Sequence, residues 1–265
     1  MKRIRSKDNP TYKEAAKLLR KKYRDQAGMF LLEGPRPVMD ALKAGNTIET
    51  VFLMESAVDS SQAQETEELC AAADVRIAAL DDELFGRLSD TEHSQGVLAI
   101  ACKSIPQELK GPVVVLDRLQ DPGNIGTIIR TAEAAGFQAL ITIKGTGDVY
   151  SPKTARAAAG SLLRVDVFEG METFDALRLC REKGLRIVAS DLEDAAEYTN
   201  ADLTGDIALV IGNEGSGVSD EIRDAADEKV KIPMEGNIES LNAAAAAAVL
   251  MYEAARQRRA AGKAE

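Results

Sequence analysis

Hydrophobic positions in the first hundred residues alternate between the helical period and short apolar runs. The pattern predicts helices at 11–25, 35–43, 62–73 and 82–88. It predicts strands at 29–34, 49–54, 75–79 and 96–101. The segment IPQELKG at 105–111 interrupts the pattern with proline and glycine, which end regular structure. We therefore expect a smaller α/β domain at 1–104, a linker at 105–111 and a second domain at 112–265.

The second half of the chain alternates between apolar runs and helical segments. The predicted strands are 112–117, 139–143, 162–168, 186–190, 206–212 and 229–234. The predicted helices are 125–135, 152–160, 172–183 and 240–258. Continuous apolar runs such as PVVVLD are typical of strands buried on both faces, so the expected fold class is α/β, with a parallel sheet between helices. Since ligands bind at the carboxyl ends of such strands, we expect functional residues just after Asp117, Ser190, Ile211 and Ile232.

Two of these strand ends are followed by glycine-containing loops. In the loop 117–136, Asn124 stands where a helix N-cap is expected, and Arg130 lies in the following helix. The loop 211–222 has three glycines in six residues around Glu214, which predicts a main chain held close to another group. Its spacing is neither the dinucleotide-binding Gly-x-Gly-x-x-Gly nor a P-loop. Taken singly, a capped helix with a surface arginine and a flexible turn remain alternatives.

A third strand end leads into an alanine-rich helix. Ile232-Pro233-Met234 is followed by a polar turn and then by Ser240-Leu241-Asn242 at the predicted helix start. Serine and asparagine at such a position are usually helix caps, which is the structural alternative here. The run of alanines after Asn242 presents a small, smooth surface, so this helix is suited to pack closely against another backbone.

Charge is distributed unevenly along the chain, whose net charge is −10. Residues 1–24, the basic head, hold ten basic and two acidic side chains, a net charge of +8, which leaves −18 for the remainder. A local basic cluster attracts phosphates even on an acidic protein, whereas a solvated helix face is the alternative. The head therefore predicts a nucleic-acid partner, with contacts from Lys17, Arg20, Lys21 and Arg24.

Other classes of protein are excluded by what the sequence does not contain. The first residues lack the apolar stretch of a signal peptide, and the longest uncharged apolar run, 243–252, is short of the roughly 20 residues of a membrane span. The cysteines at 70, 102 and 180 are scattered, so they form neither a disulfide framework nor a zinc site. We expect a cytoplasmic protein without membrane or metal.

Together the three loops resemble the SpoU (TrmH-type) family of RNA ribose methyltransferases, in the SPOUT superfamily. The first family motif corresponds to Asn124 and Arg130, and the second to Gly212-Asn213-Glu214-Gly215-Ser216-Gly217. The third corresponds to Ile232-Pro233-Met234 and Ser240-Leu241-Asn242. Residues 1–104 resemble the substrate-binding domain of many members, which is akin to RNA-binding ribosomal proteins, through 30–42 and 91–101.

The resemblance implies a trefoil-knotted, Rossmann-like catalytic domain, a homodimer with its active site at the interface, and S-adenosylmethionine as cofactor. It implies methyl transfer to a ribose 2′-hydroxyl of structured RNA, with ribosomal RNA favoured over transfer RNA. The residues it places at the cofactor are Ser190, Gly212, Ile232 and Leu241. The residues it places at the reaction are Arg130, Asn124, Glu214, Ser240 and Asn242, with Arg130 clamping a phosphate rather than acting as a base, because guanidinium stays protonated.

Two rival functions remain open at this point. A nucleotide-binding oxidoreductase would use the same doubly wound sheet, but the dinucleotide fingerprint is missing after its first strands. A non-catalytic RNA-binding or ribosome-assembly factor would keep the fold without turnover. His93, the one histidine, is a common choice of catalytic base, but it lies outside the three loops and we expect it at the surface.

Overall fold

A computed structural model of the protein describes residues 1–89, 91, 93–106, 108–192 and 194–262. These residues fall into two compact units. The first unit comprises Met1–Ser104 together with Asp148–Leu163, and the second comprises Ile105–Gly147 together with the residues from Arg164 onward. The segment 148–163 therefore packs with the first unit although it follows the 105–111 boundary in sequence. Among the helices of the described ranges, none has both the length and the hydropathy of a membrane span.

The first unit is built around a mixed five-stranded sheet. Its strands are β1 (Lys2–Ile4), β2 (Met29–Glu33), β3 (Ile48–Met54), β4 (Arg76–Leu80) and β5 (Val97–Cys102), in the order β1-β4-β3-β5-β2. Its helices are α1 (Pro10–Lys17), α2 (Lys21–Ala27), α3 (Pro35–Lys43), α4 (Ser61–Ala72) and α5 (Asp82–Leu88). β1 and β3 pair with β4 in parallel, whereas β5 runs antiparallel to β2 and β3.

The predicted helix 11–25 is wrong, because the chain breaks into α1 and α2. Asn9 caps α1, and Arg20 takes an extended conformation before α2 begins. Leu18 lies buried at the break, and its carbonyl oxygen accepts a hydrogen bond of 2.6 Å from the Arg24 guanidinium. Burial of Leu18 and this bond fix the turn, and both depend on tertiary packing that helical periodicity cannot reveal.

The remaining strands form a seven-stranded sheet. They are β6 (Val113–Leu116), β7 (Ala139–Ile143), β8 (Asp166–Met171), β9 (Arg186–Ser190), β10 (Ala196–Glu197), β11 (Ile207–Ile211) and β12 (Glu228–Lys231), in the order β10-β12-β9-β11-β6-β7-β8. Every strand pair in this sheet is parallel. The predicted parallel α/β second half is confirmed, while the trefoil knot stays a prediction.

Within the described residues, five α-helices accompany these strands along the chain. They are α6 (Pro122–Ala134), α7 (Pro152–Ala157), α8 (Thr173–Glu182), α9 (Asp220–Ala225) and α10 (Ala243–Ala260). α6 packs against α10, and α8 packs against α9, whereas α7 belongs to the first unit and packs on β2. One core cluster of the sheet includes Val115, Ile141, Ile187 and Val210, all almost fully buried.

The strand predicted at 162–168 is displaced, because the chain turns before it becomes extended. Ser161–Leu163 forms a buried 3₁₀ turn, and the strand begins only at Asp166. A buried turn containing two leucines has the same apolar signature as a short strand. Elements as short as β10 and α9 carry no periodic signal and were not predicted from the sequence.

Candidate active site

A cleft of about 510 Å³ lies at the carboxyl ends of β9, β11 and β12. We call it the strand-end cleft. Its lining comprises 190–192 at the end of and after β9, 211–217 at the end of and after β11, Arg223, Val230–Ile232, Met234, 239–242 and part of α10. All four residues expected at the cofactor, Ser190, Gly212, Ile232 and Leu241, line this cleft, as do Glu214, Ser240 and Asn242. The volume lies within the usual range for a small-molecule site.

In the glycine-rich wall of the cleft, the main chain reverses direction in a tight turn between Asn213 and Gly217. Asn213 and Gly217 exchange two main-chain hydrogen bonds, of 2.9 and 3.0 Å. A Cβ atom on Gly212 would lie 2.3 Å from the carbonyl carbon of Gly217 and 2.3 Å from the nitrogen of Val218. Gly212 is therefore required because the loop folds back onto its own backbone.

Asn124 is not the N-cap of α6, contrary to the sequence expectation. Asp121 occupies the cap, and its carboxylate accepts a hydrogen bond of 2.8 Å from the main-chain N–H of Asn124. Proline is favoured in the first turn of a helix, so α6 already begins at Pro122, before Asn124. Asn124 thus lies inside the first turn, and its side-chain amide is free to reach Glu214.

Side chains of the three loops join in one hydrogen-bond network, which we call the Asn–Asn–Glu network. The Asn242 amide donates to Asn124 Oδ1 at 2.9 Å, and the Asn124 amide donates to Glu214 Oε1 at 3.1 Å. The direction is fixed, because Asn242 Oδ1 accepts from the N–H groups of Ala244 and Ala245 at the start of α10. Main-chain N–H groups only donate, so each amide in the network has a single satisfactory orientation.

Glu214 is the acceptor on which this network ends. Burial acts to raise the pKa of its carboxyl, but four hydrogen bonds to the carboxylate outweigh that effect. They come from its own N–H, from the Asn124 amide and from two further main-chain N–H groups. Those two come from the N–H groups of Gln120 and Asp121, each at 3.3 Å. The pKa of Glu214 therefore lies below its usual value, and the side chain is an anion that ties the loop after β6 to the loop after β11.

Arg130 is not brought together with the other expected catalytic residues. It is exposed on α6, does not line the strand-end cleft, and makes no hydrogen bond or ion pair with any residue that the structure describes. Arg130 follows Asn124 by six residues, which turns its side chain about 120° away around the helix. Within one chain, the Asn–Asn–Glu network and Arg130 face different directions.

The irregular segment 232–241 offers main-chain groups to the cleft. Across the described ranges, none of its N–H or C=O groups has a hydrogen-bond partner. Apolar side chains of Ile211, Val230 and Leu250 lie nearby in the same lining. Such a combination fits an adenosine-containing ligand, since the base needs an apolar slot and main-chain donors and acceptors along its edge.

Two carboxylates at the strand ends were missed by the sequence analysis. Asp117 is buried after β6, and its carboxylate accepts a hydrogen bond of 2.6 Å from the N–H of Ser219. Asp191 follows β9, lines the cleft and forms an ion pair of 2.6 Å with Arg223. The signal was present, because both directly follow strands whose carboxyl ends were expected to carry function. In the described part of the chain, no group of three or more His, Cys, Asp or Glu side chains could hold a metal ion.

The basic head divides into exposed and buried side chains. Lys17, Arg20 and Lys21 are exposed, as expected for contacts with phosphates. Arg24 is not: its side chain is only 4% exposed and forms an ion pair with Asp148. Arg24 is therefore removed from the RNA-contacting set, because a guanidinium enclosed by protein and already paired has no donor available to a phosphate.

Comparison with known proteins matches both halves of the chain. A model of the SpoU rRNA Methylase family matches residues 111–252, and a model of the MRM3-like substrate binding domain matches residues 9–99. The 23S rRNA (guanosine(2553)-2′-O)-methyltransferase RlmP of Bacillus subtilis (strain 168) is 32% identical over 257 residues, which cover 95% of this chain and 98% of that protein.

Two further proteins extend the comparison. The 23S rRNA (uridine(2479)-2′-O)-methyltransferase of Streptomyces viridochromogenes is 35% identical over 246 residues, covering 89% of this chain and 85% of that protein. The crystal structure of an AdoMet-bound rRNA methyltransferase from Sinorhizobium meliloti superimposes with a TM-score of 0.84 at 31% identity, covering 98% of each chain.

Proposed function

Because the chain belongs to the SpoU rRNA methylase family, we propose that it methylates a ribose 2′-hydroxyl of ribosomal RNA, using S-adenosylmethionine. The observation that carries the proposal is the Asn–Asn–Glu network, which joins all three strand-end loops beside a cleft of suitable size. Two relatives of similar length are named as 23S rRNA 2′-O-methyltransferases, which favours ribosomal over transfer RNA.

The strand-end cleft holds the cofactor in this proposal. Gly212, Ile232 and Leu241 contribute main-chain groups, and Ser190 closes the side next to β9. When bound, S-adenosylmethionine supplies a methyl group on a sulfonium, whose sulfur is already a good leaving group, so the protein's task is alignment. The return of the chain at Gly212 and the unpaired main chain of 232–241 give that alignment a rigid wall and free donors.

The residues around the cleft divide the remaining work. Asn124, Glu214 and Asn242 hold the three loops in one arrangement. Ser240, in the lining of the cleft, is assigned to bond the ribose. Arg130 clamps the neighbouring phosphate with its guanidinium and stabilises negative charge developing on the 2′-oxygen. An exposed, unpaired arginine is suited to this, since no internal partner has to be given up when RNA binds.

Arg130 reaches the reaction in a homodimer. Within its own chain it faces away from the Asn–Asn–Glu network, so the site is complete only if a second copy supplies this side chain. The alanine-rich start of α10 is half-exposed and small enough for close packing of a second backbone, which supports an interface beside the cleft. A symmetric dimer formed through this interface would contain two strand-end clefts, one in each copy.

Subunit complementation tests both the role of Arg130 and the dimer. We expect Arg130→Ala to bind cofactor normally and to lose at least ~100-fold in methylation, the scale of one lost transition-state donor. Leu241→Trp, which fills the cleft, should lose cofactor binding. Co-refolding the two inactive variants should restore about a quarter of wild-type activity, since half of the dimers are mixed and each has one intact site. An inactive mixture would contradict an Arg130 that acts across the interface, and a fully active Arg130→Ala would end its catalytic assignment.

RNA binding is assigned mainly to residues 1–104 and their basic head, and chemistry to 112–265. The basis is the surplus of +8 on residues 1–24 of an otherwise acidic chain. Replacing Lys17, Arg20 and Lys21 with glutamine should flatten the dependence of log K on log salt by about two units and leave cofactor affinity unchanged. Unchanged salt dependence would assign RNA binding to the other domain. We propose that the protein acts in the cytoplasm, where ribosomal RNA is assembled into ribosomes.

The reaction itself is tested by mapping 2′-O-methylation in total RNA from cells with and without the gene. We expect one ribosomal position to lose its methyl group in the deletion strain and to regain it with the wild-type gene, but not with Arg130→Ala. Purified protein should methylate that RNA with S-adenosylmethionine alone. An RNA-binding factor without turnover would bind the same RNA and leave every ribose unmodified.

A further inference from the structure

A second cavity, of about 640 Å³, lies at the edge of the parallel sheet opposite to the strand-end cleft. We call it the amino-edge cavity, because Gly111 precedes β6 and Gly205 precedes β11 in its lining, close to where α6 and α10 end. All of its lining residues belong to the second unit. Ligands of parallel α/β sheets usually bind at the carboxyl edge, so methyl transfer leaves this cavity without a role.

Arg258 is the enclosed charged group of the amino-edge cavity. It lies near the end of α10 and is only 9% exposed. Its Nη2 donates to the carbonyl of Ala135 at 2.8 Å, whereas its Nη1 has no hydrogen-bond partner among the described residues. A guanidinium stays protonated in proteins, and an enclosed cation without a counter-charge is unfavourable. The group that this cation lacks is an anion.

Arg259 adds a second cation to the same lining. It is exposed and forms no ion pair with any residue that the structure describes. Burial lowers the pKa of Arg258, and the nearby charge of Arg259 lowers it further, which shows that the two guanidinium groups repel each other. An anion placed between them would relieve that repulsion.

One carboxylate, that of Asp206, opposes these two cations within the described lining. Asp206 acts to raise the pKa of Arg258 but lies beyond ion-pair distance of both arginines. A Cβ on Gly111 would lie 3.3 Å from Asp206 Cγ, so this side chain stands against the Gly111 wall. The lining therefore carries a net charge of +1, although the chain as a whole carries −10.

We propose that the amino-edge cavity binds a phosphate group between Arg258 and Arg259. The planar guanidinium matches the spacing of phosphate oxygens, and a tetrahedral anion has enough oxygens to accept from both arginines at once. The main-chain N–H of Gly205 is a further donor in the lining, since it has no partner in the described part of the chain. Carbonyl groups at the end of a helix favour cations, but the Ala135 carbonyl is already occupied by Arg258.

Nuclear magnetic resonance of the full-length protein tests the site with inorganic phosphate at constant ionic strength. The amides of Gly136, Gly205 and Gly262 line the cavity and should shift saturably. Arg259→Gln should weaken binding ~10-fold, the scale of one charge-assisted hydrogen bond. Asp206→Asn should strengthen binding about threefold, because it removes a like charge. Arg256→Gln is the control, since Arg256 is exposed on the same helix, pairs with Glu253 and does not line the cavity.

The direct variant is Arg258→Gln, which should abolish the saturable shifts. Should it not fold, Arg259→Gln and Asp206→Asn decide, because both change exposed side chains. The proposal is overturned if phosphate causes no saturable shift, or if Arg259→Gln binds phosphate as tightly as wild type does. These measurements do not depend on methyl transfer.

An RNA phosphate and a small phosphate compound offer the same chemistry, and binding of a ribosomal RNA fragment separates them. If the site takes an RNA phosphate, Arg259→Gln should flatten the dependence of log K on log salt by about one unit, and inorganic phosphate should compete with RNA. If it takes a small phosphate compound, RNA affinity and its salt dependence should equal those of wild type. Either result supports the site once inorganic phosphate has been shown to bind there.

Discussion

Replacing Gly212 with alanine places a methyl group where the returning main chain passes. The new Cβ would lie 2.3 Å from Gly217 C and 2.3 Å from Val218 N, about 1 Å closer than carbon atoms normally approach. Both neighbours are backbone atoms, so no side-chain rotation relieves the contact. The turn must therefore open, which breaks the two main-chain hydrogen bonds between Asn213 and Gly217.

The cost follows from these contacts. Two hydrogen bonds at about 1 kcal/mol each, together with residual strain, amount to about 2–4 kcal/mol in the free energy of unfolding. For a chain of this size that corresponds to a fall in Tm on the order of 10 °C. Gly212 and Gly217 both line the strand-end cleft, so cofactor affinity should fall at least ~10-fold as the wall moves.

Gly215→Ala is the matched control in the same loop. A Cβ there would have Asn213 Oδ1 as its nearest neighbour, at 3.6 Å, which is an ordinary contact. Thermal unfolding and calorimetric titration with S-adenosylmethionine should find Gly215→Ala close to wild type and Gly212→Ala impaired in both. If the two variants behave alike, the close approach is not what requires glycine at position 212, and our account of this loop is refuted.

Two further predictions concern charged groups. The pKa of Glu214 is lowered in the folded protein, so the stabilisation from its carboxylate is complete above the usual glutamate pKa and is lost as the pH falls through the lowered value. The difference in Tm between wild type and Glu214→Gln should therefore shrink below about pH 4. A difference in Tm that does not depend on pH would contradict this. In denaturant unfolding, Arg258→Ala should lower the stability by about 1–3 kcal/mol, since it removes a hydrogen bond to the Ala135 carbonyl and a cation over the Phe137 ring. The control Arg259→Ala, at an exposed neighbouring position, should change the stability little.

Parts of the fold and the cleft were accessible from the sequence because their causes are local. Strands β7 and β9 have the predicted bounds, since each is a short apolar run between a turn and polar residues. Strand order predicted functional residues after Ser190, Ile211 and Ile232, because parallel strands share one carboxyl edge. The family resemblance implied the set Ser190, Gly212, Ile232 and Leu241, and all four line one cleft. Their roles toward the cofactor stay predictions.

Residue type at a helix start did not reveal which side chain forms the cap. Asn124 is a good capping residue, but Asp121 precedes a proline and takes the position, so Asn124 is directed to Glu214 instead. Aspartate and asparagine differ in N-cap propensity by only a few tenths of a kcal/mol, so the geometry of the preceding turn decides which of the two forms the cap.

What the sequence by itself determined was the succession of most of the longer strands and helices, the parallel arrangement of the second sheet and the loops that meet at its edge. These follow from hydrophobic period and from glycine, proline and charge at fixed offsets. Only the tertiary structure decided that Arg24 is buried against Asp148, that 148–163 packs with the first unit, and that Asn124 bonds Glu214 and Asn242. Each depends on which surfaces distant segments cover, and the charge of Arg24 carries no record of a partner 124 residues away.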